Sequence, residues 1–179
     1  MGLSIHALFG TAVTFHIVAI FAEAGRSRAE AFAYFIPHAM FSVVTNLGAS
    51  ALADYVRLKP FLLVMLSSFT LGAVGLIFLQ HELGYWSLVA GFGVGGGLWA
   101  MLANLAFIRH YGPKHLGEIS GLNAALTVFA SAIGPLMFSV AYDASGTFSA
   151  GPMQCIVVLL ALLIVTVFVK QPLDSVPTR

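Results

Sequence analysis

The sequence predicts an all-α membrane protein, a single bundle of six transmembrane helices. Two observations carry this. Hydrophobic residues make up 59% of the 179 residues and charged ones only 8%, with a mean hydropathy of +0.95. A soluble domain carries roughly 25% charged residues, and a chain with so few could not cover its apolar surface in water. The second observation is periodic: six apolar stretches, at about 3–22, 31–53, 61–79, 86–108, 119–141 and 152–169, are separated by short breaks that hold nearly all the charge. Each stretch is close to the roughly 20 residues a helix needs to cross about 30 Å of hydrocarbon. The runs are uniformly apolar rather than alternating, so helices are expected and a barrel is not.

Taken in order, the six stretches differ. The first carries His16 deep inside it. An imidazole there needs a partner or a wet cavity, so His16 either bonds a solute or relays protons, or it bonds a neighbouring helix. The second carries His38, Ser42, Asn46, Ser50 and Asp54 at intervals of four, on one slowly drifting face. The third is plainer, with Ser67, Ser68 and Thr70 able to bond their own backbone. The fourth contains Gly91, Gly93, Gly95 and Gly97, two overlapping GxxxG pairs that read as close helix packing. A dinucleotide loop would need a strand before it and a helix opening after it, and this context has neither. Asn104, late in the same stretch, is a solute contact or an interhelix clamp. The fifth repeats the polar spacing with Asn123, Thr127, Ser131 and Pro135, and Asn123 and Thr127 read as Asn104 does. Polar groups facing lipid would be unsatisfied, so these stripes are expected to face protein or water. The sixth, around the single Cys155, is apolar all round, as a lipid-facing helix is.

Orientation follows from the basic residues of short loops. The second and fourth breaks and the C-terminal tail hold Arg57, Lys59, Arg109, Lys114, Lys170 and Arg179, while the other side holds only Arg26 and Arg28. Both termini are therefore expected on the cytoplasmic face of the plasma (inner) membrane. Ala22-Glu23-Ala24 looks like a signal-peptidase site, but no Lys or Arg precedes the apolar stretch before it, which reads instead as a full span.

The patterns of membrane-embedded enzymes do not assemble. Tyr142-Asp143 echoes one aspartate motif of intramembrane proteases, but a second Gly-x-Gly-Asp is absent, as are Gly-x-Ser-Gly and His-Glu-x-x-His. His110 and His115 are near each other without a third ligand in sequence. No metal, cofactor or nucleic-acid site is expected.

Five segments, at 15–25, 53–59, 109–121, 132–135 and 142–146, resemble segments of major facilitator superfamily transporters, particularly monocarboxylate and oxalate/formate-type porters. Residues 109–121, Arg-His-Tyr-Gly-Pro-Lys-His-Leu-Gly-Glu-Ile-Ser-Gly, are similar to the segment joining the tenth and eleventh helices of that family, and the likeness continues through Ala132-Ile-Gly-Pro135 and Tyr142-Asp-Ala-Ser-Gly146. Residues 15–25 resemble the end of its seventh helix. Residues 53–59, Ala-Asp-Tyr-Val-Arg-Leu-Lys, are similar to its cytoplasmic loop motif, with Asp54, Arg57 and Lys59, joined by Arg109, at the matching positions; Tyr55 and Arg57 depart from that motif.

The resemblance implies the C-terminal six-helix half of a twelve-helix fold whose two halves bind solute between them near the midplane. First and fourth helices would line the cavity, second and fifth would meet the other half, and third and sixth would face lipid. It implies secondary transport of a small solute, an organic anion by family, through His16, Asn104, Asn123 and Thr127. No Asp, Glu, Lys or Arg lies centrally in any span, so a charge clamp would have to come from the missing N-terminal half; the partner is that half or a second copy of the chain. The polar faces of the second and fifth helices are expected to be left uncovered within the chain. The competing expectation is a truncated membrane fragment that transports nothing.

Overall fold

The computed structural model describes residues 4–111 and 116–169, with side chains described outside 106–116. Among them are seven helices: α1 (Ser4–Glu23), α2 (Arg28–Ala33), α3 (Phe35–Leu52), α4 (Leu58–Ile77), α5 (Glu82–Tyr111), α6 (Leu116–Ser145) and α7 (Ala150–Phe168). With α2 and α3 taken together, six spans are long and apolar enough to cross a membrane, so the chain is an all-helical bundle compatible with a multi-pass membrane protein. The sequence led us to expect one unbroken second helix. Instead Tyr34 separates α2 from α3. Pro37 has no N–H to offer the Ala33 carbonyl four residues back, yet Tyr34 keeps helical dihedrals (φ −50°, ψ −38°), so the span runs on.

The core centres on α5. Of the membrane-spanning part of α5, 61% of residues are buried, against 6% for α2–α3. Helices α3 and α4 both pack along α5, α4 also packs on α7, and α1 pairs with α6. The glycines of α5 explain the closeness. A Cβ at Gly91 would lie 2.6 Å from the Ser68 carbonyl oxygen of α4, and one at Gly95 2.6 Å from the Phe69 ring. A Cβ at Gly93 would lie 2.5 Å from Phe41 Cβ and 2.9 Å from the His38 carbonyl oxygen of α3, and one at Gly97 2.9 Å from Thr45 Cβ. One GxxxG pair thus receives α4 and the other α3. Large rings fill what the backbones leave: Phe9, Phe21, Phe69 and Phe138 are almost wholly enclosed.

One end of the bundle is tied by ion pairs. Helix α1 closes on Gly25 (φ +76°), whose N–H bonds the Ala22 carbonyl while Arg26 N–H bonds that of Phe21; only glycine takes that φ without strain. The turn delivers Arg26 to three acceptors: the Leu79 carbonyl at 2.7 Å, Glu30 at 2.9 Å and Glu82 at 2.8 Å, with the Tyr85 ring 5.0 Å from the guanidinium. Burial alone would lower the pKa of this guanidinium, but the hydrogen bonds and charges of Glu82 and Glu30 outweigh it and push it further up. Ser27 and Glu30 cap α2 reciprocally. Glu23 accepts from the Thr147 hydroxyl and from Phe148 N–H (2.9 Å). The first, third and fifth breaks therefore share one end. At the other end Lys59 Nζ donates to the Val167 and Val169 carbonyls, 2.9 and 2.8 Å, closing the C-terminus of α7.

The polar stripes correct one expectation in part: on α3 the middle of the stripe is covered within the chain. Asn46 Nδ2 donates to the Gly97 carbonyl (3.1 Å), and Ser42 lies over Gly96 and Gly97. Ser50 stays exposed, beside the apolar Ile36, Met40, Val43, Val44 and Leu47. On α6 the stripe turns toward α1, where Gly134 admits the Leu8 carbonyl. Pro135 has no N–H for the Ser131 carbonyl, and the Thr11 hydroxyl of α1 stands 3.0 Å from that oxygen. The same hydroxyl is 2.6 Å from its own Ala7 carbonyl, and its one proton serves one acceptor at a time.

Candidate functional site

Between α1, the α2–α3 junction and α5 lies a cavity of about 280 Å³. Helix α1 supplies His6, Gly10, Thr11 and Thr14, which stand at i, i+4, i+5 and i+8 and so share one face. Tyr34, Phe35 and His38 form the opposite wall and Phe92 closes it from α5. Thr14 stands nine residues before Glu23, His38 ten after Arg28 and Phe92 ten after Glu82. At 1.5 Å per residue each lies roughly 15 Å from the tied end, half of a hydrocarbon layer about 30 Å thick. His6 lies about 25 Å from it, so the cavity runs from mid-depth toward the other end and is open on the side of the exposed Thr14.

The two imidazoles are held differently. His6 stacks on Trp99 (4.4 Å between centroids) and on Phe69 (5.4 Å). Its Nδ1 is enclosed with no hydrogen-bond partner among the described residues. His38 leans on Tyr34 at 5.3 Å and bonds the Phe92 backbone. No Asp, Glu, Lys or Arg lines the cavity. It offers imidazole, hydroxyl and phenol groups set among aromatic walls, a lining that can hydrogen-bond a solute without supplying a formal counter-charge.

The residues singled out from sequence lie elsewhere. His16 Nε2 is 3.2 Å from the Pro135 carbonyl and 3.5 Å from Ser139 Oγ, flanked by the Phe138 and Phe148 rings; it joins α1 to α6. Asn104 Nδ2 donates to the Ala100 carbonyl of its own helix (2.9 Å), and the Thr127 hydroxyl to the backbone carbonyl of Asn123 (2.7 Å). None of the four lines the cavity. Of the loop set, Arg57 precedes α4 as its N-cap without a side-chain cap bond, Lys59 closes α7, and Asp54 is exposed; the Arg109 side chain lies outside the described residues. Sequence reasoning missed His6, because it stands only three residues into its span. The signal available was the polar and small face His6, Gly10, Thr11, Thr14.

No family model, no curated protein and no solved structure matches this chain.

Proposed function

We propose that this chain is a solute-binding half of a secondary transporter of the major facilitator kind, with the cavity as its solute site. The observation that supports it best is the cavity itself: polar groups gathered from α1, the α2–α3 junction and α3 around open space within an otherwise apolar bundle. Solute sites of such transporters lie near the bilayer midplane. In this reading the exposed faces of α3 and α6 meet a second six-helix half, either a separately made one or a second copy of the chain. The family resemblance points to organic anions, and the positive charge for an anion would then come from a separately made half, since a second copy brings no central Lys or Arg.

The test is flux. Proteoliposomes holding the full chain are assayed with radiolabelled lactate and with lactamide, its uncharged counterpart. Saturable uptake of either is expected, lost in Gly10→Leu, which fills the cavity. Uptake equal to protein-free liposomes for both solutes would leave the reading of a membrane fragment that transports nothing.

A further inference from the structure

Resting on the solute-site reading, we infer that the cavity built by this chain selects uncharged, planar, hydrogen-bonding solutes such as aromatic amides over the matching carboxylates. Burying a carboxylate without a partner charge is among the costliest steps in recognition. The lining holds no Lys or Arg. Arg26, at the tied end, is already committed to Glu30, Glu82 and the Leu79 carbonyl. An imidazolium must donate from both ring nitrogens, and His6 Nδ1 is enclosed where it meets no acceptor, so His6 does not supply the missing charge. His38 has no carboxylate beside it in the lining to hold it as a cation.

What the lining does offer suits an amide. Imidazoles, Thr14 and Tyr34 both donate and accept, matching a group that has an N–H and a carbonyl. The rings of Tyr34, Phe35 and Phe92 provide flat walls. At about 280 Å³ the cavity is near the small end of ligand pockets, roughly 300–1,000 Å³, a size for a single-ring solute.

Trp99 provides the readout, because its indole stacks on His6. The chain has two tryptophans, so Trp86→Phe leaves Trp99 as sole reporter. The protein is placed in phosphatidylcholine nanodiscs at pH 8, above the ordinary histidine range and far above that of a carboxyl. It is then titrated with benzamide and with benzoate, which differ in charge but hardly in shape. Benzamide is expected to change Trp99 emission saturably, at a half-saturation at least tenfold below that of benzoate. Gly10→Leu should abolish the response: a Cβ there meets only His6 Cε1, at 3.9 Å, so the side chain grows into the cavity without displacing backbone. Thr14→Val, equal in shape but lacking the hydroxyl, should weaken benzamide several-fold and serves if Gly10→Leu does not fold. Benzoate binding as well as benzamide, a response unaltered in both variants, or no saturable benzamide response would each overturn the inference. Benzamide binding without flux would overturn the transport reading alone, and lactate flux with benzoate preferred would overturn this inference alone.

Discussion

Arg26 lies on the face of the predicted topology that is poor in basic residues, and its contacts give it a structural reason to be there. Its side chain is 10% exposed, while Glu30 and Glu82 are 45% and 75% exposed, so water screens the carboxylates more than the guanidinium. We expect Arg26→Met to cost about 1–2 kcal/mol, mostly through the unmet Leu79 carbonyl rather than the exposed pairs. Arg26→Lys should recover less than half, since an ammonium cannot fork to three acceptors. Thermal melting in nanodiscs decides it, and an unchanged melting temperature would mean that the loops are docked by other contacts. The histidines show what sequence depth alone hides. His16 drew attention because it lies far from any boundary, yet its bond to the Pro135 carbonyl makes it an interhelix contact. His16→Ala is therefore expected to lower stability by about 0.6 kcal/mol, the mean for intramembrane hydrogen bonds, and to leave the benzamide titration unchanged. A benzamide response lost in His16→Ala but kept in Thr14→Val would put the solute beside α6 instead.

The helices themselves were legible because hydrocarbon leaves a chain few options. Six runs of the right length in hydrophobic sequence could only be spans, and the two GxxxG pairs of α5 could only be close contacts. Which neighbour each pair received was not legible, since that depends on the rotation of α5. Nor was the direction of the polar stripes: spacing by four puts Ser42 and Asn46 on one face but does not say that α5 covers it. The break at Tyr34 was not expected, although Pro37 stood in the sequence as its signal. Glycines separate these effects experimentally. Gly91→Leu drives a side chain into the backbone of α4, and Gly134→Leu into the Leu8 carbonyl of α1. Each is expected to cost at least the roughly 1–3 kcal/mol of an overpacked core, because backbone cannot step aside as a flexible side chain can. Gly48→Leu, on α3 with open space around it, should melt with the parent. Equal melting temperatures for all three would show that the α4–α5 and α1–α6 approaches are looser than described.

At the scale of the whole molecule, Arg26 and Glu23 bind the first, third and fifth breaks together at one end of the bundle. Reporters fused after Arg26, Glu82 and Ser145 should therefore all report one side. By the charge asymmetry that side is external, with those after Lys59, Lys114 and Arg179 cytoplasmic; a cytoplasmic signal after Glu82 would break the pattern. The faces left over then bear on assembly. Because Asn46 is satisfied by Gly97 within the chain, Asn46→Leu would disturb folding before association, and it cannot report on a partner. Apolar side chains facing lipid supply no drive of their own, since lipid is as apolar as they are. Close backbone approach does supply one, and α6 offers it where Gly117 and Gly121 stand one turn apart with nothing within 4 Å of either added Cβ, followed by exposed Ala125. We expect the chain to self-associate in bilayers as it is diluted less by lipid, read by energy transfer between labelled copies. Gly121→Leu should weaken that association on the order of tenfold, about 1.4 kcal/mol, while leaving the melting temperature of the single chain unchanged, because the new side chain meets nothing inside it. Ser67→Leu, on α4, should not affect association. A monomer at every protein-to-lipid ratio would dispose of the second copy as partner and leave the truncated fragment that transports nothing as the reading that stands.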